Sequence, residues 1–165
     1  MKISLRYGTH LPVLMQALGK SHGNVLELGI GTFSTPYLHW ACERAGRRLV
    51  SMDNEARWTE WAGGYEGPLH KVVLVEDWSQ AAIEENWRWS VVLVDHSPSE
   101  RRVEEIRRLA NKAEYLVVHD SNGRYEKYYH YSTVYPLFKY IWTFDKAEPS
   151  TTVLSNFTSL EAFWE

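Results

Sequence analysis

Glycine and acidic residues at two points in the chain have the types and spacing needed to bind a nucleoside. An apolar run reaches Glu27 and Leu28 and continues directly into Gly29 and Gly31. Glycines let the backbone approach a ligand closely. Asp53 lies 22 residues after Gly31, at the end of a second apolar run, where an acid can accept hydrogen bonds from a ribose diol. This pattern predicts a nucleoside-containing cofactor bound in an α/β crevice.

Polar residues also follow each of three later apolar runs. They are Glu76–Trp78, Asp95–His96 and His119–Asn122. In an open α/β sheet, ligands bind at the carboxyl ends of the strands, where such residues meet at one edge. An acid at a strand end is not explained by core packing. We therefore expect these segments to form the rim of one site.

Four residues of this rim are candidates for acid–base catalysis: Asp95, His96, His119 and Asp120. A histidine titrates near neutral pH and can take a proton from a hydroxyl group. His96 and His119 also have a structural interpretation, in which their rings are satisfied by hydrogen bonds and do no chemistry. His119 and Asp120 are neighbours on a predicted strand, so we expect their side chains to face opposite ways and not to act as a pair.

Five short apolar runs predict strands that are buried on both faces, as in a parallel sheet. They span residues 24–28, 48–52, 71–75, 90–94 and 114–118, with helical segments between them. A helix over about 11–18 precedes the first strand, and Pro36 suits the first turn of another. Apolar residues at helical spacing predict a further helix over 103–110.

The pattern changes after the fifth strand. Val134, Leu137, Phe138 and Ile141 predict one more helix, which Pro136 would bend or delay. Residues 141–144 and 151–154 then predict an antiparallel hairpin. The whole chain, 1–165, is expected to form one α/β domain with a doubly wound, Rossmann-like, mostly parallel sheet of about seven strands that ends in the hairpin.

Composition restricts the partners. The net charge of −3 does not favour binding to nucleic acid, which requires a basic surface. Arg101, Arg102, Arg107 and Arg108 alternate with glutamates, which predicts a solvated helix face.

No stretch is long and apolar enough to cross a membrane. The single cysteine, Cys42, excludes an internal disulfide and, with the lack of signal-peptide features at the amino terminus, predicts a cytoplasmic protein. The oligomeric state is not readable from the sequence.

With these motifs, the chain resembles the class I S-adenosylmethionine (SAM)-dependent methyltransferases over almost its whole length. Glu27–Gly31 matches the first motif of that family, Asp53 the second, Glu76–Trp78 the third and Asp95 the fourth. Leu93–His96 and Val118–Asp120 are similar to a broad subgroup of small methyltransferases, many without an assigned substrate. One departure lies at the glycine loop, where Phe33 and Ser34 replace the usual third small residue.

The resemblance implies a role for each residue of the donor site. Glu27 would orient the glycine loop or the amino end of SAM, and Gly29 and Gly31 would lie against its methionine part. Asp53 would hold both ribose hydroxyls. Asp95 would face the ammonium group or the methyl acceptor. The product would be S-adenosylhomocysteine (SAH).

The resemblance also places Asp77 at the adenine amino group, with Trp78 beside the ring, and Thr9 in a segment, 7–10, that covers the cofactor. Each role has a structural alternative. Asp53 and Asp77 are of the type that caps a helix, Glu27 could be a buried acceptor without cofactor contact, and 7–10 could be an ordinary loop leading into the first helix.

A metal-assisted reaction is a weaker possibility. Asp95 and Asp120 resemble the two aspartates that hold magnesium in catechol-type O-methyltransferases. An asparagine directly follows the second aspartate there, whereas Ser121 does so here and Asn122 comes one later. We therefore assign no metal ligand from the sequence and do not expect Mg²⁺ to be required.

Two other functions compete with methyl transfer. Gly29 and Gly31 followed by an acid also fit a dinucleotide-binding oxidoreductase, although Ser34 stands at the third glycine position and Glu27 would repel a pyrophosphate. A noncatalytic module that retains the fold would explain Phe33. For an enzyme, we expect a small acceptor such as a sugar or an aromatic compound, covered by the tyrosine-rich segment 123–140.

Overall fold

The computed structural model describes residues 4–84 and 88–165 and contains seven strands and five α-helices within them. The strands are β1 (Val25–Leu28), β2 (Leu49–Asp53), β3 (His70–Leu74), β4 (Trp89–Val94), β5 (Ala113–Val118), β6 (Tyr140–Phe144) and β7 (Thr151–Ser155). The helices are α1 (Leu11–Gly19), α2 (Ser34–Ala45), α3 (Ala56–Ala62), α4 (Arg102–Leu109) and α5 (Glu126–Tyr129). None of the described helices is long and apolar enough to span a membrane.

All seven strands form one sheet in the order β3-β2-β1-β4-β5-β7-β6. The strands β1 to β5 run parallel, and β7 pairs antiparallel with both β5 and β6. The predicted mostly parallel sheet with a carboxyl-terminal antiparallel hairpin is therefore confirmed. The strand order reverses between β1 and β4, which is the position where open α/β sheets bind their ligands.

Apolar side chains cover both faces of the sheet. Leu26 and Leu28 of β1 belong to one hydrophobic cluster and Val25 belongs to the other, as the alternation of side chains along a strand requires. Helices α1 and α2 pack on the Val25 cluster, whereas α4 packs on the Leu26 cluster. Because both faces of the sheet are covered, the central strands appear in the sequence as continuous apolar runs.

The helix predicted from Val134 to Ile141 is wrong. Single 3₁₀ turns cover Tyr131–Thr133 and Tyr135–Leu137, and Ile141 already lies in β6. Pro136 has no backbone N–H and disfavours a continuing helix, and pairing with β7 draws the following residues into the sheet. Between β3 and β4, the described residues contain a 3₁₀ turn at Trp78–Gln80 instead of an α-helix, and residues 85–87 lie outside the described part.

Candidate functional site

A cleft of about 1010 Å³ lies at the carboxyl ends of β1, β2, β4 and β5. This is at the upper end of the size range of ligand pockets, so it has room for a nucleoside cofactor and a second small molecule. Six of the predicted site residues line it: Gly29, Gly31, Asp53, Asp95, His119 and Asp120. The other predicted residues, namely Thr9, Glu27, Asp77, Trp78 and His96, do not line it.

Gly29 lies where the backbone that follows β1 passes close to the backbone that follows β4. Its φ is 98°, which side-chain-bearing residues rarely adopt, and a Cβ there would lie 2.5 Å from the carbonyl carbon of Asp95. The crossing follows from the adjacency of β1 and β4, since the Asp95 N–H donates to the Leu28 carbonyl at 2.7 Å. The Phe33 ring also lines the cleft and packs against Gly8, where a Cβ would approach it within 2.8 Å. Gly8 thus leaves room for Phe33, the large residue at which the glycine loop departs from the usual pattern.

Asp53 holds two loops in place from the end of β2. Its Oδ2 accepts from the Ile30 N–H at 2.9 Å, and its Oδ1 accepts from the Glu55 N–H at 2.8 Å. Burial raises the pKa of Asp53, and these backbone donors oppose the increase. The bond to Glu55, just before α3, agrees with the structural alternative. Each oxygen has a second lone pair, and the residue borders the cleft, so ribose binding stays a prediction compatible with these bonds.

Glu27 is fully buried beneath the glycine loop. It accepts from the Thr35 hydroxyl of α2 at 2.9 Å and from the Ser51 hydroxyl of β2 at 2.5 Å. Burial raises the pKa of the Glu27 carboxyl to about 7, although these hydrogen bonds oppose the increase. The contacts fix the start of α2 against the sheet, as expected of a structural acceptor.

A chain of hydrogen-bonding side chains continues from Glu27 away from the cleft. The Ser51 hydroxyl lies 2.9 Å from His70 Nε2, and His70 Nδ1 lies 3.2 Å from His39 Nδ1. His39 Nε2 in turn lies 3.5 Å from the Glu43 carboxylate. The two histidines and Glu43 line a second, smaller groove. The buried carboxyl is therefore linked to a groove that is separate from the cleft.

Arg102 joins the carboxylates at the ends of β4 and β5. Its Nη2 lies 3.0 Å from Asp95 Oδ1, its Nη1 lies 3.3 Å from Asp120 Oδ2, and its Nε donates to the His96 carbonyl at 2.7 Å. The prediction that this charged helix face is solvated is wrong for Arg102 and Glu105, which are 5% and 0% exposed. Their charges are buried because they pair with partners from neighbouring elements. A guanidinium thus lies between the two aspartates that resemble magnesium ligands.

His119 connects this cluster to the amino-terminal segment. Its Nδ1 lies 3.1 Å from Asp95 Oδ1, and its Nε2 lies 3.0 Å from the Thr9 hydroxyl. Burial alone would lower the pKa of His119, but the Asp95 carboxylate raises it above the ordinary value. Burial correspondingly opposes ionisation of Asp95, but His119 and Arg102 hold its pKa well below the usual range.

The expectation that His119 and Asp120 face opposite ways is wrong. Asp120 has a φ of 57° and therefore does not continue the extended strand. Its Oδ1 lies 3.9 Å from His119 Nδ1. The left-handed backbone at Asp120 brings both side chains to the same cluster, an arrangement that the alternation of a regular strand does not allow.

Comparison with known proteins assigns the fold. No family model and no curated protein matches the sequence. Solved structures do match: the O-methyltransferase TomG from Streptomyces achromogenes, in complex with SAM, has a TM-score of 0.65 at 15% identity, and the match covers 93% of this chain and 82% of that one. An O-methyltransferase from Bacillus cereus, in complex with SAH, gives 0.64 at 13% identity, covering 93% and 83%. The chain has the class I methyltransferase fold.

The same fold also occurs in proteins of other activity. A spermidine synthase in complex with a transition-state analogue matches with a TM-score of 0.65 at 12% identity, covering 96% of this chain and 62% of that one. A methyltransferase fold therefore does not by itself decide the reaction, which has to be argued from the residues of the cleft.

The residues predicted to bind adenine lie outside the cleft of this methyltransferase fold. Asp77 is exposed, and its Oδ1 accepts from the Ser79 N–H at 2.8 Å, which caps the 3₁₀ turn. Trp78 is buried and donates from Nε1 to the Ser97 carbonyl at 2.8 Å. His96 is 1% exposed and lies 3.2 Å from Glu105. The contact of Asp77 matches its structural alternative, whereas the His96 ring is only partly satisfied, because its Nδ1 has no hydrogen-bond partner among the described residues. The functional roles of Asp77, Trp78 and His96 stay predictions.

The sequence reasoning missed several cleft residues of this methyltransferase fold. His10 is 2% exposed and lines the cleft, but only its neighbour Thr9 was proposed as a site residue. Trp58 and Trp61 line the cleft beside Asp53, with ring centroids 5.9 Å apart. Their i, i+3 spacing on one helix face is a signal that was available. Nothing in the local sequence marks Arg102 as a site residue, because the residues near it in the sequence are charged as well.

The tyrosine-rich segment mainly supports the acidic cluster. The Tyr129 hydroxyl donates to Asp120 Oδ2 at 2.9 Å, and the Tyr131 hydroxyl donates to the His119 carbonyl at 3.1 Å. Tyr125 is the member of this segment that lines the cleft. A lid over the acceptor thus stays a prediction, supported by Tyr125 alone.

Proposed function

We propose that the chain is a SAM-dependent methyltransferase that acts on a small acceptor molecule bound in the same cleft. The observation that carries the proposal is the composition of this cleft. It brings the glycine loop, Asp53 and a histidine–aspartate cluster together in one cleft. Structures of the same fold hold SAM or SAH.

The donor is proposed to lie along Gly29–Gly31, with its ribose at Asp53 and its adenine towards Trp58 and Trp61. The two indole rings line the same cleft as Asp53 and meet edge to face, and the face of an indole suits a purine. SAM carries a sulfonium cation, and carboxylates and aromatic rings in the cleft favour that charge. This placement replaces Asp77 and Trp78 as the adenine contacts.

The acceptor is proposed to bind at the end formed by Asp95, His119 and Asp120. Methyl transfer breaks the bond between sulfur and the methyl carbon as the acceptor oxygen or nitrogen bonds to that carbon, so the acceptor must lie in line. SAM leaves as neutral SAH, and the acceptor loses its proton to a base. His119, oriented by Asp95 and Thr9, is the group best placed to take it. The buried Cys42 thiol accords with the cytoplasm as the proposed location.

Calorimetry of SAH with three proteins tests the donor site. We expect wild type to bind SAH, Asp53→Ala to bind at least about tenfold more weakly because a charged hydrogen-bond acceptor is lost, and Asp77→Ala to match wild type. The two variants are matched, because each removes an aspartate side chain that accepts from the backbone N–H two residues later. Thermal unfolding without ligand checks that both remain folded.

NAD is titrated in the same way as a control. Binding of NAD without SAH would refute the methyltransferase proposal, whereas binding of neither would favour a noncatalytic module. Loss of SAH binding in Asp77→Ala alone would restore the adenine site implied by the resemblance.

A further inference from the structure

Three side chains of metal-ligand type converge at the acceptor end of the cleft. His10, Asp95 and His119 each offer one ligand atom, and these atoms all lie within 4.8 Å of one another. The rings of His10 and His119 meet edge to face, with centroids 4.7 Å apart. His10 begins the turn into α1, whereas the other two follow β4 and β5, so the tertiary fold creates the group.

His10 is the member whose environment is incomplete. It is 2% exposed, and neither ring nitrogen has a hydrogen-bond partner among residues 4–84 and 88–165. A neutral imidazole keeps a lone pair on one of its two ring nitrogens. A buried polar group without a partner costs stability, and the residue borders the cleft. A ligand that bonds to nitrogen would satisfy it.

His119 is oriented in the way that metal-binding histidines usually are. The Thr9 hydroxyl donates its proton to the Pro149 carbonyl at 2.8 Å, so its oxygen accepts from His119 Nε2 at 3.0 Å. This leaves Nδ1 facing Asp95 Oδ1 at 3.1 Å. A ligating histidine generally donates its other ring N–H to such an outer partner, which fixes the tautomer and the ring plane.

From this geometry we propose that His10, Asp95 and His119 bind a divalent transition-metal ion, with zinc as the best match. Zinc bonds of about 2.0–2.2 Å place two ligand atoms roughly 3.4 Å apart in a tetrahedral site. The Asp95 carboxylate already lies beside His119, with its Oδ1 3.1 Å from His119 Nδ1. The three ligand atoms lie within 4.8 Å of one another, so the widest pair would have to close by up to roughly 1.4 Å. Two imidazoles and one carboxylate suit zinc, whereas Mg²⁺ requires oxygen ligands.

The local charges permit such an ion. Among residues 4–84 and 88–165, the contacts of Asp95 to Arg102 and to His119 are both made through Oδ1, which leaves Oδ2 for a metal. Asp95 and Asp120 together exceed the single charge of Arg102 by one negative charge, and a metal would displace any proton from His119, so a dication is not repelled. Three protein ligands leave at least one coordination position towards the cleft, as in catalytic zinc sites.

This site extends the proposed function and rests on it only for its catalytic role. An acceptor hydroxyl at the open position would have a lowered pKa and would release its proton to water in the cleft before the methyl group is transferred. Asp95 and His119 would then be metal ligands, and His119 would not be the base. Zinc binding itself requires no methyl donor. It is therefore measured with zinc alone, so that its failure and failure of methyl transfer are separate results.

Calorimetric titration of Zn²⁺ into tag-free, chelator-treated full-length protein tests the site. We expect one equivalent to bind to wild type. Even outer partners of a metal ligand contribute about 10- to 100-fold in affinity, so His10→Ala should weaken binding by at least about tenfold. His39→Ala is the matched control, because His39 belongs to the second groove with Cys42, Glu43 and His70, where side chains of zinc-ligand type also lie. Its affinity should equal that of wild type.

X-ray absorption of the zinc-loaded wild type keeps the test decisive even if a variant does not fold. Nitrogen and oxygen neighbours with two imidazoles are expected, whereas a sulfur neighbour would point to Cys42 and overturn the proposal. Equal zinc affinities of His10→Ala and wild type, or no stoichiometric binding by wild type, would also overturn it.

Discussion

Replacing Glu27 with glutamine should change how the stability of this protein depends on pH. Glu27 is 0% exposed, and burial raises the pKa of its carboxyl from 4.5 to about 7. A carboxyl whose pKa is raised by folding favours the folded state while it is protonated. Its contribution is complete below about pH 4.5 and is lost as the pH rises through about 7. Glutamine has the same shape and stays neutral throughout.

The size of the effect follows from the two pKa values. One pKa unit is equivalent to about 1.4 kcal/mol, so full ionisation of Glu27 costs the folded state about 3 kcal/mol. Part of this is already lost at pH 5. Between pH 5 and pH 8, the free energy of unfolding of wild type should therefore fall by about 2.5 kcal/mol relative to Glu27→Gln. Every other titrating group is shared, so the difference between the two proteins isolates Glu27.

Urea denaturation followed by tryptophan fluorescence at several pH values measures this difference. Glu60→Gln makes the same substitution at an exposed position and should follow the wild-type profile. Parallel profiles for wild type and Glu27→Gln would refute the reasoning, because they would show that the Glu27 carboxyl has the same pKa in the folded and unfolded states. A profile that diverges in the opposite direction would mean that Glu27 is ionised in the folded state and stabilised by a cation.

Two further substitutions test the parts of the structure that shape the cleft. Gly29→Ala should lower the free energy of unfolding by more than about 2 kcal/mol, because it combines a strained φ with a clash. Gly64→Ala is the control, with nothing within 4 Å of the added Cβ, and should change the free energy of unfolding by less than about 1 kcal/mol. Equal effects of the two substitutions in urea denaturation would contradict the backbone crossing at Gly29. Arg102→Met leaves Asp95 and Asp120 without their cation and should lower the free energy of unfolding by about 3–5 kcal/mol. Arg107→Met removes an exposed ion pair and should lower it by less than about 1 kcal/mol. Thermal unfolding of both variants decides this, and similar losses would show that the Arg102 pairs are not coupled to folding.

The strands were predictable because burial on both faces leaves a direct trace in the sequence. The predicted ends of all seven strands agree with the structure within one residue, since a polar residue or a turn follows each apolar run. The position of Asp53 and Asp95 on the cleft follows from the same reasoning. Strand ends of a parallel sheet meet at one edge, whatever the side chains later do there.

The remaining features depend on contacts between distant segments. The charge pattern of α4 is the same whether Arg102 faces solvent or Asp95, so its burial was not readable. His10 belongs to the cleft only because α1 begins beside β5. Ile141 joins a strand because β7 is available as a partner, although its spacing from Val134 is that of a helix. An aspartate that caps a turn and an aspartate that binds a cofactor look identical in sequence, so the role of Asp77 could not be read from the sequence.

The hydrogen-bonded chain from Glu27 to the second groove has a consequence for rates. A carboxyl that is closed off on the side of the cleft would normally exchange its proton only when the structure opens locally. Here the hydroxyl of Ser51 and the rings of His70 and His39 connect it to the second groove, which is separate from the cleft. A proton can leave by this route while a ligand fills the cleft. Glu27 should therefore remain in equilibrium with the solvent, and its protonation state should respond to a pH jump faster than the bound ligand dissociates.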